Sequence, residues 1–257
     1  MSFAIDTTRC TGCGLCAADC VLGLVRMNTA GLPEIDPSRE NSCVHCGHCA
    51  AICPEGAVLL DGRSAGELEP AAPPCPYKTT ADLLRGRRAV RLFRRESPDR
   101  SLIERALALA AYAPTAHNAR EVAYTILLGR GKVERLLLDL TDVMERHGMY
   151  PAHTASVRAG RDTLFRGAPA LVLISAPERV LSETDCATAA AYLELALPSL
   201  GLGSCWAGML LEACARELPR GIAPVSGHKL YAALMIGIPA AGYRRLPYRT
   251  PPRTVFC

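Results

Sequence analysis

Two runs of cysteine share one spacing, Cys10-x2-Cys13-x2-Cys16-x3-Cys20 and Cys43-x2-Cys46-x2-Cys49-x3-Cys53, the second followed by Pro54. Three thiolates two residues apart lie on a tight loop that wraps three corners of one iron–sulfur cube, so the fourth corner must be filled from elsewhere. Eight thiolates in two such sets imply two 4Fe–4S clusters, which carry electrons one at a time. Disulfides belong to oxidising compartments and do not generate a doubled ligand spacing. Zinc sites pair C-x2-C units across a longer loop and lack the triple run. Of the thirteen cysteines, Cys75 falls in a proline-rich stretch and reads as a spare thiol.

The doubled run resembles the two-cluster bacterial ferredoxin arrangement, in which the last cysteine of each run crosses to the other cluster. That resemblance assigns Cys10, Cys13, Cys16 and Cys53 to one cube, and Cys43, Cys46, Cys49 and Cys20 to the other. The first run departs from the pattern, because Cys20 is followed by Val21 and not by proline. Packing around Cys20 is therefore expected to differ. His45 and His48 lie between cluster cysteines, where they hydrogen-bond or face solvent and are placed to tune a cluster's potential.

The elements that hold these loops read as an internal repeat. Each half offers an apolar segment, a triple-cysteine loop and a second apolar segment (Phe3–Ile5 and Leu22–Met27, then Ile35 and Ala57–Leu60), and each is expected to form a short hairpin. Residues 1–61 form this ferredoxin-like domain. Residues 62–78, rich in proline and without periodicity, read as an extended linker. Residues 79–257 form a second, α+β domain. In it Thr79 or Thr80 caps a short helix through Leu84, and Ser97-Pro98 reads as a cap followed by a first-turn proline. The helix after Ser97 places Leu102, Ile103, Ala106, Leu107, Leu109 and Ala110 on one apolar face. Val122–Leu128, Ala170–Ser175 and Leu230–Gly237 read as buried strands. Asp185–Leu200 is a helix apolar nearly all round, hence central or at a subunit interface, with its last turn kinked by Pro198.

Three further segments carry charge and tight turns. They are Arg87-Arg88-Ala89-Val90-Arg91-Leu92-Phe93, Ala113-Pro114-Thr115-Ala116-His117-Asn118, and Gly201-Leu202-Gly203-Ser204-Cys205-Trp206-Ala207-Gly208. In order and spacing they resemble the signatures of the nitroreductase superfamily of FMN flavoproteins, over about residues 80–250. With the cysteine runs, the chain resembles the iron–sulfur-fused branch of that superfamily. FMN ends in a dianionic phosphate, which guanidinium groups bind through paired, charge-assisted hydrogen bonds.

The resemblance implies phosphate and ribityl contacts for Arg87 and Arg88, with Ala89 in the same segment, and places Arg91 at the flavin pyrimidine edge. It implies cofactor contacts from Pro114, Thr115 and Ala116, and gives Asn118, both donor and acceptor, the alternating carbonyl and N3–H groups. It sets Trp206, Ala207 and Gly208 against the ring, with the Ala207 and Gly208 N–H groups at N5 and O4, and makes Arg249 a late phosphate ligand. There are two departures. Ala89 stands where the family often has Ser, and Ala119-Arg120-Glu121 replaces the common x-Gln-Pro, so that Arg120 faces either the substrate cavity or Glu121.

The 257 residues carry a formal charge of +4, unevenly placed. Residues 1–61 hold three Arg and seven Asp or Glu, a charge of −4, which leaves +8 on the remainder. The basic part lacks aromatic residues interleaved along a basic stripe, which sets nucleic acid aside. No apolar run reaches membrane-spanning length and the opening segment has no signal-peptide pattern, so a cytoplasmic protein is expected. The resemblance implies a homodimer with FMN at the subunit interface. It implies electrons passing from a low-potential donor such as ferredoxin or flavodoxin through the two clusters to FMN, and on to an electron-poor small molecule such as a nitro compound, quinone or enone. Two other readings fit the same residues. In one, NAD(P)H reduces FMN and the clusters carry electrons outward; in the other, the protein is a redox or electron-transfer module without small-molecule turnover. No nucleophile–base pair is present, and no side chain is assigned a catalytic role, since the cofactor supplies the reactive atom.

Overall fold

The computed structural model describes residues 2–257, the side chain of Ala65 excepted. They fall into two compact units, one running to Pro74 and including His117–Ala119, the other made of Cys75–Ala116 and Arg120–Cys257.

In the first unit β1 (Phe3–Ile5) pairs antiparallel with β4 (Val58–Leu60), and β2 (Val25–Met27) pairs with β3 (Pro33–Ile35). The expectation of one hairpin per half is thus corrected. Only β2 and β3 form a hairpin, and they do so across the seam between the halves, while β1 and β4 close the two ends. The reason lies in the connection from β1 to β2, which is filled by the first cysteine loop and α1 (Leu15–Ala18) and leaves no room for a tight turn. The repeat is nonetheless real in the backbone. Gly14 (φ 75, ψ −1) precedes α1 as Gly47 (φ 75, ψ 0) precedes α2 (His48–Ala51), a left-handed conformation that costs glycine little. A side chain at Gly12 would meet the Gly31 carbonyl oxygen at 2.8 Å, so that loop also requires glycine. The core is small: Cys16, Val25, Ala50 and Val58 are buried, with Phe3, Ile5 and Ile35 packed on them.

The second unit is built on one antiparallel sheet in the order β5 (Ala123–Leu128), β6 (Ala170–Pro177), β8 (His228–Gly237), β7 (Gly203–Trp206). Period-two alternation sends successive side chains to opposite faces. Ala170, Val172 and Ile174 of β6 join Ala232, Leu234 and Ile236 of β8 in a core with α4 (Arg100–Ala110) and α7 (Ser182–Ser199). Leu171, Leu173, Ala233 and Met235 join the opposite core with α5 (Arg130–Arg146), α6 (Pro151–Arg158) and α8 (Gly208–Cys214). Because helices cover both faces, the strands read as unbroken apolar runs although the sheet is antiparallel. Outside the four strands, Ala89 forms an isolated parallel bridge to Ser204 at the β7 edge.

The strands and α7 shift by up to three residues from the sequence reading, and the first two helices of this unit differ from it in more than length. The first helix of this unit, α3, spans Tyr77–Gly86, with Pro76 just before it, so Thr79 and Thr80 lie inside the first turn and do not cap it. Asp99, not Ser97, caps α4, its side chain accepting from the Ser101 N–H at 2.8 Å. On that helix Ile103, Ala106 and Ala110 are buried while Leu109 stays half exposed, so the apolar face is narrower than expected. Pro198 sits inside α7, and the helix ends on the tighter bonds Leu200 N to Leu197 O and Gly201 N to Pro198 O. Among the described residues no helix is long and apolar enough to cross a membrane.

Candidate cofactor sites

In the first unit the eight cysteines of the two runs gather around two separate cavities. One is lined by Cys10, Cys13, Cys16 and Cys53, the other by Cys20, Cys43, Cys46 and Cys49. The last cysteine of each run therefore lies with the opposite triple. Among the described residues no three His, Cys, Asp or Glu side chains are arranged to hold one metal ion. Four thiols lining one cavity are the donor set that a four-iron cube takes.

Backbone N–H groups point at the sulfurs: Leu24 N lies 3.4 Å from Cys20 Sγ, Ala57 N 3.2 Å from Cys53 Sγ, and His45 N 3.4 Å from Cys43 Sγ. Such bonds stabilise negative charge on sulfur and tune a cluster's potential. Burial alone would raise the Cys20 thiol, but the N–H groups of Val25, Leu24, Leu22 and Gly23 together outweigh it and lower its pKa. Burial pushes the Cys16 thiol up, and pushes Cys49 up to about 11. Metal loading at those positions must release protons.

The Val21 departure leaves the turn intact. Gly23 N bonds to Cys20 O at 2.8 Å just as Gly56 N bonds to Cys53 O at 3.1 Å, with Gly23 and Gly56 at φ 57 and 58. The Val21 side chain points to solvent at 87% exposure, so the missing proline alters no packing around Cys20. His45 and His48 are tied outward, Nδ1 of His45 to Asp61 at 2.7 Å and Nδ1 of His48 to Asp19 at 3.1 Å. Outside the two runs, burial pushes Cys186 and Cys214 up to about 12, while Cys75 is exposed on the segment before α3.

In the second unit residues 89–94 run between β7 and the chain that leaves β8. Val90 N bonds to Ser204 O at 2.8 Å, Arg94 N to Ile238 O at 2.8 Å, and Ala240 N to Leu92 O at 2.9 Å. Gly203 permits this approach, since a Cβ there would lie 2.4 Å from Val90 Cγ2. The result brings four expected residues, Arg91, Trp206, Ala207 and Gly208, to one cavity, with Arg166, Met209 and the buried Phe165 as further walls. A larger cavity beside α5, about 230 Å³ against about 170 Å³, is lined by Arg130, Leu137 and Asp162 and holds none of the expected residues.

The remaining expected residues are held otherwise. Arg87 Nη1 donates to Glu194 Oε1 at 3.3 Å. The Arg88 guanidinium turns back to the carbonyls of Arg85 and Gly86 at the end of α3. Thr115 Oγ1 accepts from Arg120 N at 3.0 Å and Ala116 N donates to Asp185 Oδ1 at 3.0 Å, which pins the loop after Pro114. In that loop His117, Asn118 and Arg120 take φ values of 53, 54 and 52. Left-handed non-glycine residues cost on the order of 1–2 kcal/mol each, strain that persists where the surroundings fix the backbone. Within the first unit Asn118 Nδ2 donates to the Val44 carbonyl at 2.8 Å. Glu121 pairs with Arg179 at 2.7 Å. Arg249 lies on the exposed tail, donates to the Tyr248 carbonyl at 3.3 Å, and does not line the Arg91 cavity.

Two residues of this site escaped the sequence reading. Glu194 is a carboxylate between Leu193 and Leu195 in a helix read as apolar nearly all round, and that apolar setting was the available signal. Arg166 stands in a left-handed conformation (φ 56) on a turn whose Leu164, Phe165 and Gly167 N–H groups all bond to Asp162, a geometry that no motif marks in the sequence.

Comparison with known proteins finds two family matches. The model of the Nitroreductase family matches residues 84–238, and that of a 4Fe-4S dicluster domain matches residues 9–58. Among solved structures, the fold is similar to that of a nitroreductase with bound FMN from Bacteroides fragilis, at 23% identity and a TM-score of 0.58, covering 68% of this chain and 97% of that one. It is similar also to a nitroreductase with bound FMN from Desulfitobacterium hafniense (18%, 0.56, covering 67% and 94%). An FMN-dependent nitroreductase from Clostridium difficile is a third such fold (18%, 0.53, covering 69% and 98%). No curated protein matches the chain.

Proposed function

We infer, for a chain that belongs to the nitroreductase family and carries a 4Fe-4S dicluster domain ahead of it, an FMN-dependent oxidoreductase supplied with single electrons through two 4Fe–4S clusters. The observation that carries this reading is the sorting of eight cysteines into two cavities of four, each drawing its last member from the other run. A low-potential donor such as ferredoxin or flavodoxin feeds the clusters, and an electron-poor small molecule receives the electrons.

The residues fit these groups chemically. Each cavity offers four thiols and at least one N–H group aimed at sulfur. The Arg91 cavity offers a guanidinium and an indole at a strand-to-helix turn; the Ala207 N–H, expected at the flavin ring, is instead spent on the Ala233 carbonyl at 2.9 Å. FMN when bound supplies hydride and single-electron chemistry. This chain's own contribution is then to bind and orient. Arg91 sets positive charge beside the cavity, where it favours an anionic form of a bound ring. Trp206 and Met209 present apolar surface against which a flat aromatic group packs. The family is dimeric by resemblance, and we extend that to this chain, with the exposed tail after β8 and a cytoplasmic setting that keeps eight thiols reduced as parts of the same proposal.

Anaerobic steady-state assays with reduced ferredoxin, NADH and NADPH as donors test the reading. Turnover of a nitro compound or quinone with reduced ferredoxin, and little with either nicotinamide, is expected. Fast flavin reduction by NADH or NADPH in protein lacking its clusters would reverse the direction of flow, making the clusters the exit.

A further inference from the structure

Glu194 is the one charged residue among the described residues that is buried, at 8% exposure. It stands on α7 amid Leu193, Ala196 and Leu197 of the core. An ionised carboxylate in such a place is costly unless it is paired and hydrogen-bonded. Three donors meet it. Arg87 Nη1 and Ser204 Oγ each lie 3.3 Å from Oε1, and Trp206 Nε1 lies 2.9 Å from Oε2. Ser204 and Trp206 alternate on β7 and so face the same side, while Arg87 comes from the end of α3. One carboxylate therefore joins three separate segments.

Two of those donors have work elsewhere. The Trp206 ring lines the cavity with Arg91, Ala207 and Gly208. The Arg87 side chain is 31% exposed, and its guanidinium carries five N–H donors, of which Glu194 takes one. A guanidinium held at one edge keeps its other edge oriented, which lowers the entropy lost when an oxyanion binds there. We propose that Glu194 is a positioning residue for the phosphate of the flavin: it touches no part of the cofactor, but fixes Arg87 by an ion pair and Trp206 by a hydrogen bond. The proposal rests on the FMN reading above.

The test compares two ligands that differ only in the phosphate. Full-length protein purified anaerobically and stripped of flavin is titrated with FMN and with riboflavin, following the fluorescence of Trp206, the only tryptophan. The unsubstituted chain is expected to prefer FMN by tenfold or more. Glu194→Gln keeps the shape of the side chain and removes its charge, so FMN affinity should fall about tenfold while riboflavin affinity stays within twofold. Trp206 emission should shift in the variant before any flavin is added. Glu194→Asp keeps the charge but withdraws it by one methylene, and should lose part of the preference. It also serves if the glutamine variant does not fold.

In the Arg87→Ala background, Glu194→Gln should cost FMN nothing more, because both changes act through one guanidinium. Equal losses for both flavins, or additive losses in the double variant, would make Glu194 a purely structural group and overturn the proposal. A chain that binds both flavins equally well before substitution refutes the phosphate role of Arg87 and the proposal with it. One that binds neither refutes the FMN reading itself.

Discussion

The crossing of the two cysteine runs can be tested by pairing substitutions. Cys53 lies with Cys10, Cys13 and Cys16, and Cys43 lies with Cys20, Cys46 and Cys49. With about four irons per cube, the intact chain should hold about eight. Cys53→Ser leaves three thiols in the first cavity and four in the second, so iron should fall towards about four after anaerobic gel filtration. The informative step is the second substitution. Adding Cys10→Ser damages the same cavity again and should leave about four irons in place, whereas adding Cys43→Ser damages the other cavity and should leave almost none. If each run instead ligated its own cube, the two outcomes would exchange: Cys53→Ser with Cys43→Ser would keep about four irons, and Cys53→Ser with Cys10→Ser would keep almost none. Iron and acid-labile sulfide analysis reads the result, and the exchanged pattern refutes the crossing. Stability should follow iron. The buried apolar residues of this unit, Cys16, Leu24, Val25, Ala50, Ala57 and Val58, are too few to hold a domain of this size without its staples. The double variant that empties both cavities should therefore lose the first unit's cooperative melt while the second unit keeps its own.

Gly203→Ala places a methyl 2.4 Å from Val90 Cγ2 and 2.8 Å from Val90 Cβ, an overpacking cost of about 1–3 kcal/mol. Thermal melts should show the loss, and FMN affinity should fall with it because Val90 lies between Arg87 and Arg91. Glu217 is held below the usual carboxylate range by hydrogen bonds from Arg146 first and from His147 second. A carboxylate with a depressed folded pKa stabilises above its ordinary value of 4.5 and loses that contribution as pH falls through the folded pKa. The melting temperatures of the intact chain and Glu217→Gln should thus differ at pH 7 and converge in acid; a constant difference would assign the effect to packing. Removing residues 1–61 should leave a folded flavin-binding protein, reducible by dithionite, that no longer turns over with reduced ferredoxin. Unchanged turnover would show that the clusters are not the input path.

What the sequence made legible was local chemistry and periodicity. The cysteine spacing is a covalent-scale pattern, and strands buried on both faces leave apolar runs such as Ala170–Ser175 that survive any detail of packing. What it hid was set by partners far along the chain. β1 pairs with β4 across more than fifty residues, and nothing within Phe3–Ile5 says so. Asp99 outcompeted Ser97 as a cap because the cap must stand just before the first helical residue, a boundary that periodicity fixes only loosely. Glu194 was passed over for a different reason. A carboxylate in an apolar helix reads as a stray polar residue until the donors at Arg87, Ser204 and Trp206 are seen to converge on it.

Two of the three departures from the expected motifs show which parts of the site depend on side chains. Where Val21 stands in place of proline, the turn, the glycine conformation and the N–H bond to Cys20 sulfur are kept. Where Ala89 stands in place of serine, its backbone still bridges Ser204 and its carbonyl accepts from the Tyr243 hydroxyl at 3.1 Å. At both positions the functional geometry is carried by main-chain atoms, which any residue of compatible φ supplies. Gly12 and Gly203 are the opposite case, since main chain or a buried valine occupies the space a Cβ would need. Arg87 belongs with them for a chemical reason: a neutral residue there would leave Glu194 buried with a charge and only neutral donors. The positions least free to vary are thus the close-approach glycines and the Arg87–Glu194 pair, and of these Gly203 and the pair hold the segments that carry Arg91 and Trp206 against one another.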